Sequence, residues 1–217
     1  MQHLVIAIDG PAASGKSSVS RALAQRLGYT FVNTGVMYRA VTWHVLQASL
    51  DPADAKAVEQ LLETSSIECG IQGGQSCFSI NGIDPGPALV SPLVNDAVSK
   101  IASQPYVRRK LVELQRSYAD KDHAVMEGRD IGTAVFPETP YKFYIDASPE
   151  VRASRRAGQG LQDSVAQRDA MDSSRKDSPL MVASDAQVID SSCLNIEEVV
   201  SEILKRLREQ GVSPSGA

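Results

Sequence analysis

Two rhythms of apolar residues run along this chain. Residues 4–9 (LVIAID) form a short, nearly continuous apolar run, the pattern of a strand buried on both faces. From 17 to 27 the spacing turns helical, with Val19, Leu23 and Leu27 on one face. Residues 30–32 predict a second strand and 36–48 a second helix, so the chain opens as the start of a parallel βαβ sheet. Further strands are predicted at 124–127 (AVME), 141–146 (YKFYID) and 187–190 (QVID), which makes five core strands. Helices are predicted at 93–102 and 106–118, separated by Pro105. A last one at 196–210 is capped by Asn195, with Glu197 and Glu198 in the first turn, where they suit the helix dipole.

Between 51 and 92 the character changes. Asp51 followed by Pro52 predicts a helix start, with Asp as the cap. Residues 66–71 and 77–80, with Gly73-Gly74 and Asn81-Gly82, read as short antiparallel strands joined by tight turns. Pro85, Pro87 and Pro92 punctuate the exit. The predicted fold is doubly wound α/β: a five-stranded parallel sheet flanked by helices, a small inserted antiparallel β region and a helical lid. One domain is expected, with a core at about 1–35, 105–150 and 178–211 and an insertion at about 36–104, its short strands near 66–84. A lid at about 151–177 and a flexible tail at 212–217 complete it.

Composition narrows the partners. The 217 residues are 42% hydrophobic and 22% charged, enough to bury a large core. Aromatics are only 5%, and 22 basic against 26 acidic residues leave a net charge of −4. Base stacking and bulk attraction to nucleic acid or anionic lipid are therefore not expected. Cys69, Cys77 and Cys193 are an odd number at unrelated spacings, which excludes a disulfide framework and a zinc set. His3, His44, His123 and Trp43 share no constellation and read as packing or surface residues. The apolar run at Leu4 has no basic lead-in and no small-residue cleavage site, so a secretory leader is not expected. With no run of about 18 apolar residues, a cytoplasmic, soluble, monomeric protein is expected.

The first chemistry is in Gly10-Pro11-Ala12-Ala13-Ser14-Gly15-Lys16-Ser17, a full match to G-x-x-x-x-G-K-[ST] between a predicted strand and helix. Such a loop turns its amides inward around phosphates, and the helix N-terminus adds positive potential. Lys16 reaches the terminal phosphates, and Ser17 offers its hydroxyl to Mg²⁺. A GTPase switch also needs D-x-x-G and N-K-x-D; neither accompanies the loop, so ATP is the expected nucleotide.

Arginines supply the second site. They outnumber lysines 14 to 8, and the guanidinium fork suits phosphate oxygens. Arg39 follows the loop after the second strand, and Arg129-Asp130 follows the strand at 124–127. Arg152, Arg155 and Arg156 share one helix face, and Arg168, Asp172 and Arg175 share another. Arg152 taken singly reads as a solvated helix charge. Together the two faces, joined by a Gly-containing stretch at 157–160, suggest a lid that closes over phosphates and excludes water. The residues alone leave open a nucleotide kinase, a P-loop kinase of a metabolite such as shikimate, or a nucleotide-gated binding module without turnover.

Four stretches then carry a resemblance: IDGPAASGKSS at 8–18, NTGVMYRAVTWH at 33–44, EGRDIGTAVFP at 127–137 and RDAMDSSRKDSPLMVASDAQVIDSS at 168–192. In this order they are similar to bacterial cytidylate kinases, of the nucleoside monophosphate kinase group of P-loop kinases. The resemblance implies a transferase that phosphorylates CMP or dCMP from ATP with Mg²⁺, giving ADP and CDP or dCDP in pyrimidine metabolism. It implies that Gly10, Pro11, Ala12, Ala13, Ser14, Gly15, Lys16, Ser17 and Ser18 bind ATP phosphates, with Arg155 and Arg156 in the ATP lid. Thr34, Tyr38 and Arg39 belong to the acceptor loop, and Ser99, Arg108, Arg129 and Asp130 face the cytosine. Arg168, Asp172 and Arg175 contact the acceptor's sugar and phosphate. Lys16, Arg129, Arg168 and Arg175 are the expected catalytic cations, and Ser17 the magnesium residue, partly through water. Val90 stands where many members carry arginine, and Met171 and Ser173 replace arginines of some relatives.

Overall fold

The computed structural model describes residues 3–158 and 165–212. The expected connector beyond Gly158 and the tail from 213 lie outside the described residues. Strand β1 (Val5–Asp9) is buried at all five positions. Its side chains divide by parity: Val5 and Ala7 enter one core, Ile6 and Ile8 the other. Strands β2 (Thr30–Asn33) and β5 (Ala124–Glu127) divide the same way, which is why these runs lack a polar face.

Between β2 and β5 come the strands β3 (Ile67–Gln72) and β4 (Gln75–Ile80); after β5 come β6 (Lys142–Asp146) and β7 (Gln187–Asp190). The sheet order is β3-β4-β2-β5-β1-β6-β7. The five expected strands are all parallel, but the sheet has seven strands rather than five. The β3–β4 hairpin does not stand beside the core; β4 pairs parallel with β2 at Phe31↔Gln75 and takes up that edge. Gly73 and Gly74 both have positive φ (57° and 72°), which the two-residue turn between β3 and β4 demands.

Helices α1 (Lys16–Leu27) and α8 (Ile196–Glu209) cover one face. Helices α2 (Thr34–Gln47), α3 (Ala55–Glu63), α4 (Pro92–Ala102) and α5 (Pro105–Arg116) build the core on the other. Helices α6 (Pro149–Gly158) and α7 (Val165–Ser173) sit over the C-terminal end of the sheet, against the loops after β1 and β5. Asn195 caps α8 in a capping box with Glu198, as its sequence predicts.

Two boundaries differ from expectation. Helix α3 is capped by Asp54, whose carboxylate accepts from the amides of Lys56 and Ala57, not by Asp51. Asp51 instead accepts from Ala53 N at 2.9 Å and closes a turn around Pro52, so the helix starts later. At the other end, the expected tail includes Val212, which the structure packs against the core. Gly211 (φ 84°) turns the chain, Val212 N donates to Leu207 O at 2.9 Å, and Val212 is buried against α8.

Candidate active site

The strand order reverses at β1, flanked by β5 and β6, and the loop after β1 opens at that crevice. Gly10 lies so close to β6 that a Cβ there would stand 2.1 Å from the Ile145 carbonyl oxygen; only glycine fits. Lys16, 6% exposed, donates to the Pro11 carbonyl at 2.9 Å, across the loop. Burial, with Arg129 adding to it, pulls the Lys16 ammonium down to about 7. The buried carboxylate of Asp9 ends β1 and accepts from the amides of Ile131 (2.8 Å) and Gly132 (2.7 Å). Burial pushes its pKa up to about 7, against the pull of those two amides. Asp9 thereby ties β1 to the π-helical turn Ile131–Val135 that follows Asp130.

Ser17 Oγ donates to Glu127 at 2.8 Å. Glu127 ends β5, next to β1, and is 3% exposed. Thr34, at the start of α2, donates to the Glu127 carbonyl at 2.7 Å. After Glu127 the chain passes Gly128, where a Cβ would meet Thr34 Oγ1 at 2.8 Å and Ile131 Cδ1 at 2.7 Å. That close passage delivers Arg129 and Asp130 into the crevice.

Asp172 on α7 accepts from Arg129 Nε at 3.0 Å through one oxygen and from Arg175 through the other. One carboxylate therefore holds two guanidinium forks side by side. Deeper in, Arg108 of α5 pairs with Asp130 and donates to the Ala102 carbonyl at 3.2 Å, its guanidinium 5.6 Å from the Tyr38 ring centre. Burial pushes the Asp130 carboxyl up, with Arg108 opposing it most. Arg39 donates to Leu89 O (2.8 Å) and Asn95 Oδ1 (2.7 Å), which anchors α2 to α4 and to the stretch before it. Val90, 59% exposed, brings no charge to this rim.

On the opposite wall Arg155 donates to the Ser14 carbonyl at 3.1 Å and the Ser191 carbonyl at 2.7 Å. Arg152 donates to the Ala147 and Ala12 carbonyls and pairs with Asp169 of α7, which accepts from Ala12 N at 2.9 Å.

A cleft of about 1280 Å³ is lined by most of these groups, while Asp9, Asn95, Arg152 and Asp169 stand behind its lining. Of the residues expected from the sequence, Ala12, Ala13, Ser14, Gly15, Lys16, Ser17, Ser18, Arg155 and Arg156 line it. So do Thr34, Tyr38, Arg39, Ser99, Arg108, Arg129, Asp130, Arg168, Asp172 and Arg175. Gly10 and Pro11 do not; they form the base on which the loop turns. Sequence reasoning passed over Asp9, Glu127 and Asp169. The first two had a legible sign, an acid at the C-terminal end of an apolar strand, where ligands of parallel sheets bind. Asp169 had none beyond standing next to Arg168.

No cluster of three His, Cys, Asp or Glu able to hold a metal exists among the described residues. The Ser17 hydroxyl and Glu127 carboxylate are hard oxygen donors side by side. Such a sparse set suits Mg²⁺, which keeps its waters and takes most ligands from substrate phosphates.

Comparison with known proteins agrees with this geometry. The family model for cytidylate kinase matches residues 6–209. A cytidylate kinase of Solibacter usitatus is 41% identical over 222 aligned residues, covering 96% of this chain and 94% of the relative. One from Corynebacterium efficiens is 42% identical over 216, covering 93% of each. Among solved structures, the shikimate kinase of Acinetobacter baumannii superposes with a TM-score of 0.50 at 12% identity, covering 97% of this chain and 96% of that one, a likeness of fold alone. With the phosphate loop, the arginine-lined cleft and these matches over nearly its whole length, the chain belongs to the cytidylate kinase family.

Proposed function

We propose that this protein transfers the γ-phosphoryl group of ATP to CMP or dCMP, giving ADP and CDP or dCDP. The observation that carries the reading is the joining, in one cleft, of a phosphate loop with Lys16 to a buried Arg108–Asp130 pair across a bank of arginines. The loop amides, Lys16, Arg155 and Arg156 take the ATP phosphates. Thr34, Tyr38 and Arg39 border the acceptor, and Arg168, Asp172 and Arg175 take its sugar and phosphate.

Cytosine presents an N4 amine and the O2 and N3 acceptors. Asp130 accepts from the amine, while Ser99 and the remaining N–H groups of Arg108 donate to the ring. Uracil sets an acceptor oxygen against the carboxylate and leaves a buried polar group unpaired, the kind of mismatch that discriminates strongly. The attacking oxygen is an ionised phosphate oxygen, so no general base is needed. Lys16, Arg129, Arg168 and Arg175 neutralise charge spread over the transferred group, and preorganised cations of this kind stabilise such a transition state.

Magnesium supplies neutralisation of the polyphosphate when bound. Ser17 would hold it, with Glu127 orienting that hydroxyl by accepting its hydrogen. Helices α6 and α7 belong to a lid at about 151–177 that keeps water out, over an acceptor-binding insertion at about 36–104 and a core at about 1–35, 105–150 and 178–211. A monomer working in the cytoplasm fits the reading; no helix among the described residues is long and apolar enough to cross a membrane.

Release of ADP with CMP, dCMP, UMP, AMP and shikimate as acceptors, with and without Mg²⁺, tests it. Turnover with CMP or dCMP that exceeds the others and needs the metal is expected. Preference for another acceptor, or ATP binding without ADP release, would overturn it.

A further inference from the structure

Helices α6 and α7 are unlike the rest of the molecule. No residue of α6 is buried, and among the nine of α7 only Asp172 is. Neither helix therefore has an apolar face to seat it, and its position depends on polar contacts. Two of those contacts on α7 are made by carboxylates one turn apart, Asp169 and Asp172, and they go to opposite sides of the cleft. Asp172 holds Arg129 and Arg175. Asp169 accepts from Ala12 N in the phosphate loop at 2.9 Å and pairs with Arg152 of α6. Arg152 in turn donates to the Ala12 carbonyl at 3.3 Å and the Ala147 carbonyl at 3.1 Å, at the end of β6. Both polar groups of the Ala12 backbone are thus taken up by these two helices.

We propose that Asp169 and Arg152 are a positioning pair that couples the phosphate loop to the acceptor-side arginines, with α7 as the link between them. The inference rests on the phosphoryl-transfer reading and deepens it. An exposed ion pair of this type contributes little, but the side chains here are only 13% and 16% exposed and share a backbone amide and carbonyl of the loop. In-line transfer is sensitive to small displacements of the two reactants. A helix fixed to the donor loop at one turn and to the acceptor's arginines at the next sets their spacing. Neither side chain need touch a substrate for this.

The test uses the full chain and the variants Arg152→Ala, Asp169→Ala, the double variant, and Asp169→Asn, which keeps an acceptor for the Ala12 amide. In nucleotide-free protein, hydrogen exchange of residues 165–173 is expected to quicken about tenfold in the alanine variants while α5 is unchanged. In steady state, kcat is expected to fall about ten- to hundredfold. KM for ATP should stay within about threefold of the parent, and the midpoint of thermal unfolding should be preserved. The double variant should be no worse than the worse single one, because both remove one interaction. Asp169→Asn should recover part of the loss. Unchanged exchange, additive effects, or a loss of kcat that only tracks a loss of global stability would overturn the pair. A parent protein that leaves CMP unphosphorylated would instead count against the functional reading, and the exchange data would still judge the coupling.

Discussion

Arg108 on α5 and Asp130 after β5 meet as an ion pair whose side chains are 5% and 7% exposed, at the inner end of the cleft. Two charges taken so far out of water stabilise each other only as a pair; either alone is a burden on the fold. The same residues face the position proposed for the acceptor base, so under that proposal one interaction serves both stability and selectivity.

Asp130→Ala leaves the Arg108 charge buried without its partner. It is expected to lower stability by about 3–5 kcal/mol, a fall in melting temperature of about 6–20 °C. Asp130→Asn is the gentler probe and should cut the ratio of kcat/KM for CMP over UMP by about tenfold or more. Replacing both partners by Leu and Met should restore much of the melting temperature and none of the preference. Calorimetry and the paired kinetic assay read these outcomes, and an unaltered ratio in Asp130→Asn would remove the residue from base recognition.

Lys16→Ala removes a cation aimed across the phosphate loop. A drop in kcat of about a hundred- to thousandfold is expected, as for loss of one preorganised charge in an active site. The folded protein should lose little, because burial already works against the ammonium. A variant that unfolds at room temperature would contradict that separation of roles.

Asp9 and Lys16 give the stability profile a definite sign. The folded-state value of Asp9, about 7, lies above its usual 3.8, so the native state holds the extra proton and stability declines as pH rises between those values. Lys16 runs the other way. Its folded-state value of about 7 lies below its usual 10.5, so stability climbs as pH rises from 7 to 10.5. Together they place a minimum near neutrality. Denaturation curves from pH 4 to 10 should lose the acid-side decline in Asp9→Asn and the alkaline-side climb in Lys16→Met. Variants with profiles parallel to the parent would rule out these two groups.

Gly128→Ala forces a methyl against Thr34 Oγ1 and the Ile131 side chain, at 2.7–2.9 Å from their atoms. Overpacking of this order destabilises by about 1–3 kcal/mol. Because Arg129 and Asp130 follow immediately, KM for CMP should rise well before KM for ATP. An equal rise in both would show the strain spreading into the phosphate loop.

Much of this arrangement was readable in the residues. The phosphate loop announces itself because its chemistry is contiguous: glycines, lysine and hydroxyl occupy eight successive positions. The arginines of α6 and α7 were legible through helical spacing, and Asn195 through cap chemistry. What failed to show depends on contacts distant in sequence. Nothing near Asp169 says that it bonds Ala12, 157 residues earlier. Arg152, which read as a solvated charge, is held on three sides by groups brought to it only by the fold. The two additional strands of the sheet are hidden for a similar reason. The turn glycines reveal the β3–β4 hairpin, but its attachment to β2 rests on one backbone pairing that no local pattern encodes. Asp51 and Asp54 are equally good caps by composition, and proline beside the first tipped the reading the wrong way.

That attachment also determines where the sheet ends. Without the hairpin, β2 would present bare amides and carbonyls to the surroundings, an invitation to self-association through strand stacking. With it, the outermost strand is β3, which exposes Glu68 and Gln72 and has its Cys69 carbonyl occupied by the Lys121 ammonium at 3.1 Å. Charge and a blocked carbonyl make that border a poor template, so crowded copies of the molecule are discouraged from zipping together along it.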